Sequence, residues 1–354
     1  MRREYRDLRD DTKLRISQSL RGRSFSETHK QAISDAMKAY WSTIPYKDEE
    51  KTRVITKTMK RVCKRPIQLD AVNLCYEVVH PYYYEQLSVL DFGECLDMDE
   101  FRLYRTEGRY FENVYAIRLD NGTRDIEWGY LKFNLARGDE QSNTHTNGNR
   151  KVWFSLNNET LYSKDTYFLT YIEQRLGLEF HNVTSLDLAL DTPFCVSPLV
   201  KAYLHNKDVT TILNGKRIID RDEDRPEITY TNSGSLNKQD KYKTVNIKQR
   251  NAIKDKNKGI TVQTYDKTAE ISNASDKQYI LDYYGNPKRL YRTEVHLNAE
   301  DIKNYVERIG IQYTPLILFD EAVLEGLFFH YLGSVIRFQS RKMDASWEHL
   351  LGRS

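Results

Sequence analysis

The chain has 354 residues, 39% hydrophobic and 30% charged, with a formal net charge of +3. That length holds two domains, or one large domain with appendages, and rules out a minimal module. The longest apolar runs, such as Leu316-Ile317-Leu318-Phe319, fall far short of the ~20 residues that span a bilayer, and the opening MRREYRDLRDD is too charged for a signal peptide, so a cytoplasmic protein with no membrane partner is expected.

Charge is unevenly spread: residues 1–65 carry 18 Lys and Arg against 9 Asp and Glu, leaving 36 against 42 for the rest. Within residues 1–45, "KLRISQSLR" (Lys13–Arg21) and "KQAISDAMK" (Lys30–Lys38) repeat one pattern at an offset of 17. Each unit reads as a short helix, with Ser24 or Ser26 as an N-cap for the second. Two such units bury too little for a core, so a small basic helical appendage is expected. Residues 46–65 read as a basic linker closed by Pro66.

From residue 66 onward the pattern changes to alternating strands. "IQLDAVNLCYEVV", "RYFENVYAIRL", "WGYLKFNL" and "KVWFSLNNETLY" read as strands, with turn signals at Asp120-Asn121-Gly122 and Thr146-Asn147-Gly148-Asn149. A helix over Asp165–Leu176 should end at Gly177, and Val183–Phe194 reads as another strand. A second basic island, residues 235–259, holds eight Lys and Arg against two Asp and reads as an insertion. Two further strands follow it, in "ITVQTYDKTAEI" and "RLYRTEVHL", and apolar residues at helical spacing predict a packing helix over Asp320–Phe338. The body is therefore α+β with a mainly antiparallel sheet and packing helices. Cys63, Cys75, Cys95 and Cys195 show neither CxxC pairing nor zinc-spaced histidines, so reduced thiols are expected. There is no Walker A or GxGxxG motif to bind a nucleotide.

Three strands carry one polar face each, because side chains alternate along a strand. In "SLDLALD", Leu186, Leu188 and Leu190 oppose Asp187, Ala189 and Asp191. The two acids lie about 13 Å apart at ~3.3 Å per residue, too far to chelate one ion together. They suit either a metal ligand beside an orienting group or a plain solvated sheet surface. In "RLYRTEVHL", Arg292, Glu294 and His296 share a face. That set suits a phosphate and a divalent ion, and equally a cross-strand salt bridge. In "GITVQTYDKTAEI", Thr261, Gln263, Tyr265 and Lys267 share the polar side. A tyrosine beside a lysine and near a metal meets the needs of a phosphoryl-transfer nucleophile, provided a cation or a base favours its phenolate. Tyr283-Tyr284, at a predicted turn, is the rival pair.

In order, "SLDLALD", "TYDKTAE" and "RTEVHL" resemble the signature segments of trans-acting rolling-circle replication initiators of plasmids and filamentous phages, a family that includes relaxases of some integrative elements. Its members read R-[IL]-D-[LI]-[AT]-x-D, then R-x-Y-[DE]-K, then R-x-E-[VL]-x-[LI]; here Ser185 and Gln263 stand where the first two segments have Arg. The resemblance covers Val183–Leu297 and implies that Tyr265 attacks DNA, with Asp187 and Glu294 holding Mg²⁺ or Mn²⁺. It gives Lys267 and Arg292 to catalysis, and Asp191 and His296 to the metal site or its support. The N-terminal units are similar to nuclease-associated modular DNA-binding repeats, whose consensus reads roughly S-E-E-x-K-x-x-I-S-x-A-x-K. Lys13, Arg15, Arg21, Arg23, Lys30 and Lys38, with Lys241, Lys243, Lys248 and Arg250 of the island, are then the DNA-binding cations. No histidine–hydrophobic–histidine triplet is present, which disfavours the other large class of rolling-circle nickases.

The expected function is sequence-specific nicking and strand transfer through a 5′-phosphotyrosyl link, with a host helicase and polymerase as partners; the resemblance alone implies a homodimer. A conjugative relaxase with the same chemistry, a non-enzymatic origin or operator binder, and a homing-type nuclease cutting by water attack are the alternatives.

Overall fold

The computed structural model describes residues 26–28, 31–32, 34–36, 62–120, 125–135, 150–163, 166, 168–220, 225–231, 244–255 and 259–353. The chain divides into two units, Met1–Lys60 and Arg61–Ser354. In the first, residues 27–28, 31–32 and 34–36 are helical, and Gln31 Nε2 donates to Asp35 Oδ1 at 3.0 Å one turn on. Lys13, Arg15, Arg21, Arg23, Lys30 and Lys38 lie outside the described residues, as do the linker up to Arg61, residues 121–122 and 146–149 of the predicted loop turns, and Lys241 and Lys243 of the island.

The second unit is α+β. Its strands are β1 (Gln68–Val78), β2 (Cys95–Asp97), β3 (Phe101–Thr106), β4 (Phe111–Asp120), β5 (Asp125–Leu135), β6 (Lys151–Leu156), β7 (Leu178–Thr192), β8 (Thr210–Leu213), β9 (Lys216–Arg217), β10 (Ile228–Thr231), β11 (Thr244–Lys248), β12 (Thr261–Asp266), β13 (Tyr291–Asn298) and β14 (Ile336–Gln339). Eleven of them pair antiparallel in the order β10-β11-β12-β13-β7-β1-β6-β5-β4-β3-β2, and β14-β8-β9 form a small second sheet. The long β7 lies between β13 and β1 at the centre of the large sheet.

Alternation decides which face is buried. Leu186, Leu188 and Leu190 of β7, Val295 and Leu297 of β13, and Val262 of β12 enter one continuous core with the helices Ala299–Ile309 and Glu321–Val335. Each such side chain contributes roughly 1.5–3 kcal/mol by leaving water. The opposite face carries the acids, the histidine and Tyr265. The helices Asn158–Tyr162, Lys267–Ala274 and Gln278–Tyr283 gather there, the last two around a small cluster of Ile271, Ile280, Leu281 and Leu290.

Several predicted boundaries move for local reasons. "KVWFSLNNETLY" is a strand only to Leu156, because Asn157 turns the chain into the helix Asn158–Tyr162. The C-terminal helix runs Glu321–Val335, capped by Asp320, and Ile336–Gln339 becomes β14. Gly177 stands at φ +65 just past the helix Phe168–Arg175, in the conformation that ends a helix most cheaply. The basic island corrects most. Thr244–Lys248 is no inserted loop but a sheet strand paired on both sides, with Val245 and Ile247 buried in the core. Lys248 lies on that strand, and Arg250 opens the helix Arg250–Lys254, where its Nε approaches Glu227 at 3.3 Å.

Candidate active site

Register brings the three polar strand faces together. Tyr265 pairs across to Arg292, and Arg292 to Asp191; Gln263 pairs to Glu294, and Glu294 to Ala189; Thr261 pairs to His296, and His296 to Asp187. Directly opposed residues in antiparallel strands point to the same side, so these three rows form one polar surface. It has a buried tier and an outer tier.

Arg292 centres the buried tier, with a side chain 0% exposed. Its Nε and Nη2 donate to the two oxygens of Asp191 at 2.8 and 2.7 Å, Nη2 also donates to Tyr162 Oη at 2.6 Å, and Nη1 donates to Asp70. Asp70 sits where the β1–β7 register shifts between Leu69 and Ala71, so a bulge aims its carboxylate at this face. Asn158 Nδ2 donates to Asp70 Oδ1 at 3.1 Å, and Tyr279 Oη to Asn158 Oδ1 at 2.7 Å. Burial alone would raise the Asp70 carboxyl, but Arg292, Lys267 and the Asn158 amide outweigh it and hold the group down at about 2. Asp70, Asn158, Tyr162 and Tyr279 were not legible as site residues. An acid in the middle of a strand pattern was the one available sign, for Asp70.

This tier overturns two sequence expectations. Arg292 is not an open fork for a phosphate, since its donors are engaged inside the protein. Asp191 is not a metal ligand in this arrangement, since Arg292 takes both its oxygens.

The outer tier is partly open to solvent. Tyr265 Oη donates to Glu294 Oε2 at 3.0 Å, reaching diagonally across the strand pair. Burial and then the Glu294 charge push the phenol well above its ordinary value, with Arg292 opposing. Burial and the Asp70 charge raise Glu294 to about 7. One row along, Asp187 bonds His296 Nδ1, with side chains 23% and 26% exposed.

Lys267 is a third correction. The strand ends at Asp266, whose side chain accepts from Ala269 N at 2.9 Å and so caps the helix Lys267–Ala274; Arg289 adds an ion pair to it at 3.2 Å. Lys267 is therefore the first helical residue, not the next position on the polar strand face. It is 2% exposed, bonded to Glu270 at 2.8 Å, with Nζ 5.7 Å from the Tyr265 ring centre. Burial, and then Arg292, lower its pKa. It holds positive charge behind the tyrosine rather than in front of it.

Among the described residues no three His, Cys, Asp or Glu side chains gather about one point to hold a metal ion. Mg²⁺ asks for less: it keeps several waters and takes one or two carboxylates together with substrate phosphate oxygens. Asp187 and Glu294, on one face of adjacent strands with His296 directly opposite Asp187, are donors of that kind.

The rival tyrosines differ from Tyr265. Tyr284 is raised by burial and then by the Asp191 charge, and the Arg65 guanidinium lies 4.6 Å from its ring centre. Tyr283 ends the helix Gln278–Tyr283 and packs edge-on against Tyr162 at 5.3 Å.

No family model matches the chain, and no curated protein matches it significantly. Among the described residues no helix is long and apolar enough to cross a membrane.

Proposed function

We propose that this protein nicks DNA and transfers the cut strand through Tyr265, initiating rolling-circle replication of a plasmid or phage. The observation that carries the reading is the 3.0 Å hydrogen bond from Tyr265 Oη to Glu294, on a polar sheet face that also holds Asp187 and His296. The bond supplies what a nucleophilic tyrosine needs, an acceptor for its proton.

In the reaction, Tyr265 Oη bonds to the scissile phosphorus as the P–O3′ bond breaks. The phenolic proton passes to Glu294, and the departing 3′ oxygen takes a proton from water. The products are a 5′-phosphotyrosyl link and a 3′-hydroxyl that a polymerase can extend. One phosphodiester replaces another, so no nucleotide is consumed and a later hydroxyl reverses the step. A divalent cation, Mg²⁺ or Mn²⁺, held by Asp187 and Glu294 with His296 in support, would supply charge neutralisation at the phosphate. Lys267 Nζ lies 5.7 Å from the Tyr265 ring centre, and Arg292 ties β13, which carries Glu294, to β7 through Asp191. The basic N-terminal repeats, with Lys248 and Arg250, would add phosphate contacts, and a host helicase would open the duplex beyond the nick.

The test mixes full-length protein and Mn²⁺ with fluorescent single-stranded oligonucleotides from the encoding element, followed by a denaturing protein gel. An EDTA-sensitive fluorescent band from wild type, absent from Tyr265→Phe, is the expected result. Adducts that persist in Tyr265→Phe would transfer the role to Tyr283 or Tyr284. No adduct with any oligonucleotide, alongside tight duplex binding, would make the protein a DNA binder without this chemistry.

A further inference from the structure

We propose that the polar face of the large sheet continues, beyond the site, as a track for single-stranded DNA across β3–β6, with bases on Tyr104 and Tyr130 and a phosphate on Lys132. The inference rests on the nicking reading for its direction, since the track leads to Tyr265. Its residues are separate from the site.

The register draws the track. One row of directly opposed residues runs Ser185, Asn73, Ser155, Tyr130, Ala116 and Tyr104 across β7, β1, β6, β5, β4 and β3. All six point to one side, and Ser185 is two residues from Asp187 on the same strand, so this side is the site's side. Hydrogen bonds bind the row together: Asn73 Nδ2 donates to Ser185 Oγ at 2.9 Å, Ser155 Oγ to Asn73 Oδ1 at 2.6 Å, and Lys132 Nζ to Ser155 Oγ at 2.5 Å. Beyond them the row becomes aromatic. Ala116, itself buried, separates Tyr130 from Tyr104 by two strand spacings, about 10 Å. The Arg118 guanidinium lies 5.0 Å from the Tyr104 ring centre. Tyrosine rings beside cations on an open sheet are what unpaired bases stack on, and every base has a face to offer.

Lys132 says that the ligand is an anion. Its neighbours are neutral: the Ser155 hydroxyl, the Tyr130 ring at 5.9 Å and, opposite it on β6, Trp153. Burial lowers its pKa, and no carboxylate among the described residues offsets that cost. A cation kept half-buried without a counter-ion stabilises nothing in the free protein; a phosphate would supply the missing charge. Asp97 pairs with Arg102 at 3.2 Å, and Glu127 accepts from Tyr130. A duplex keeps its bases stacked inside and offers nothing to Tyr104, so the stacking surface favours a single strand.

The experiment uses the full chain carrying Tyr265→Phe, which cannot capture DNA covalently, and fluorescence anisotropy with a 20-mer of oligo(dT). Lys132→Met should lower the magnitude of the salt slope by about 0.7, one phosphate contact on a single strand, and weaken binding several-fold at 100 mM salt. Tyr104→Ala should weaken binding about 5- to 150-fold. Circular dichroism and a thermal melt should match the parent for both, and a 20-base-pair duplex should bind them as it binds the parent. An unchanged slope and affinity, no binding of oligo(dT) by the parent, or equal losses on duplex would overturn the track. If binding behaves as expected but wild type forms no tyrosyl adduct, the nicking reading fails and the track stands. If adducts form while both variants bind normally, only the track falls.

Discussion

Replacing Arg292 with methionine tests whether the buried tier is an electrostatic keystone or simply packing. Methionine keeps the aliphatic stem and removes four hydrogen bonds, leaving the Asp191 side chain, 0% exposed, and that of Asp70, 11% exposed, without their shared counter-ion. Removing one member of a buried ion pair costs about 3–5 kcal/mol, because the remaining charge stays desolvated. The pH dependence is the sharper part. In wild type the Asp70 carboxyl is held down at about 2 against an ordinary 3.8. It thus contributes about 2 kcal/mol above the ordinary value, lost as pH falls towards the folded one. In Arg292→Met the sign reverses: carboxylates buried without a partner bind protons more tightly than the unfolded chain does, so acid stabilises them relative to pH 7. Urea unfolding followed by tryptophan fluorescence, with Trp128 fully buried as reporter, should show a gap of about 3–5 kcal/mol at pH 7 that narrows steadily towards pH 4. Arg292→Met with Asp191→Asn should recover part of the loss. A gap below about 1 kcal/mol, or one that does not change with pH, would refute the electrostatic account.

Asp70→Asn should remove the acid-sensitive contribution of about 2 kcal/mol, so wild type and variant converge in urea midpoint as pH falls from 4 towards 2. Asp266→Ala removes the cap of the helix Lys267–Ala274 and the Arg289 ion pair; a stability loss of about 1–2 kcal/mol is expected, with slower adduct formation because Lys267 loses its anchor behind Tyr265. Tyr265→Phe removes one hydrogen bond on a half-open surface and should shift stability by only about 1 kcal/mol while abolishing adducts, which separates chemistry from folding.

Period-two patterning made most of the sheet legible, including β1, β4, β5, β7, β12 and β13, and with it the polar faces that carry Asp187, Glu294, His296 and Tyr265. What it missed has particular causes. Strand alternation extended through Lys267 because a sequence does not announce that Asp266 will turn and cap a helix. Arg292 read as a phosphate ligand because its true partners lie 101, 130 and 222 residues away in the chain. Asp70 entered the site through a bulge, which shifts a side chain off the face that alternation assigns. The charge of the island hid β11, although the alternating Val245-Asn246-Ile247-Lys248 within it was a strand signal.

The pairing of β7 with β1 also bears on how the chain folds. Asn73 meets Ser185 across 112 residues, and Asp70 meets Arg292 across 222, so the centre of the sheet closes some of the longest loops in the molecule. Such topologies fold slowly, because loop entropy is lost before the distant contacts compensate it. The two ends of the sheet, β2 to β5 and β10 to β12, are by contrast built largely from strands close in sequence. Local meanders should therefore form first and the central seam last. The polar face that gathers Tyr265, Glu294, Asp187 and His296 would then be completed only in the final folding step.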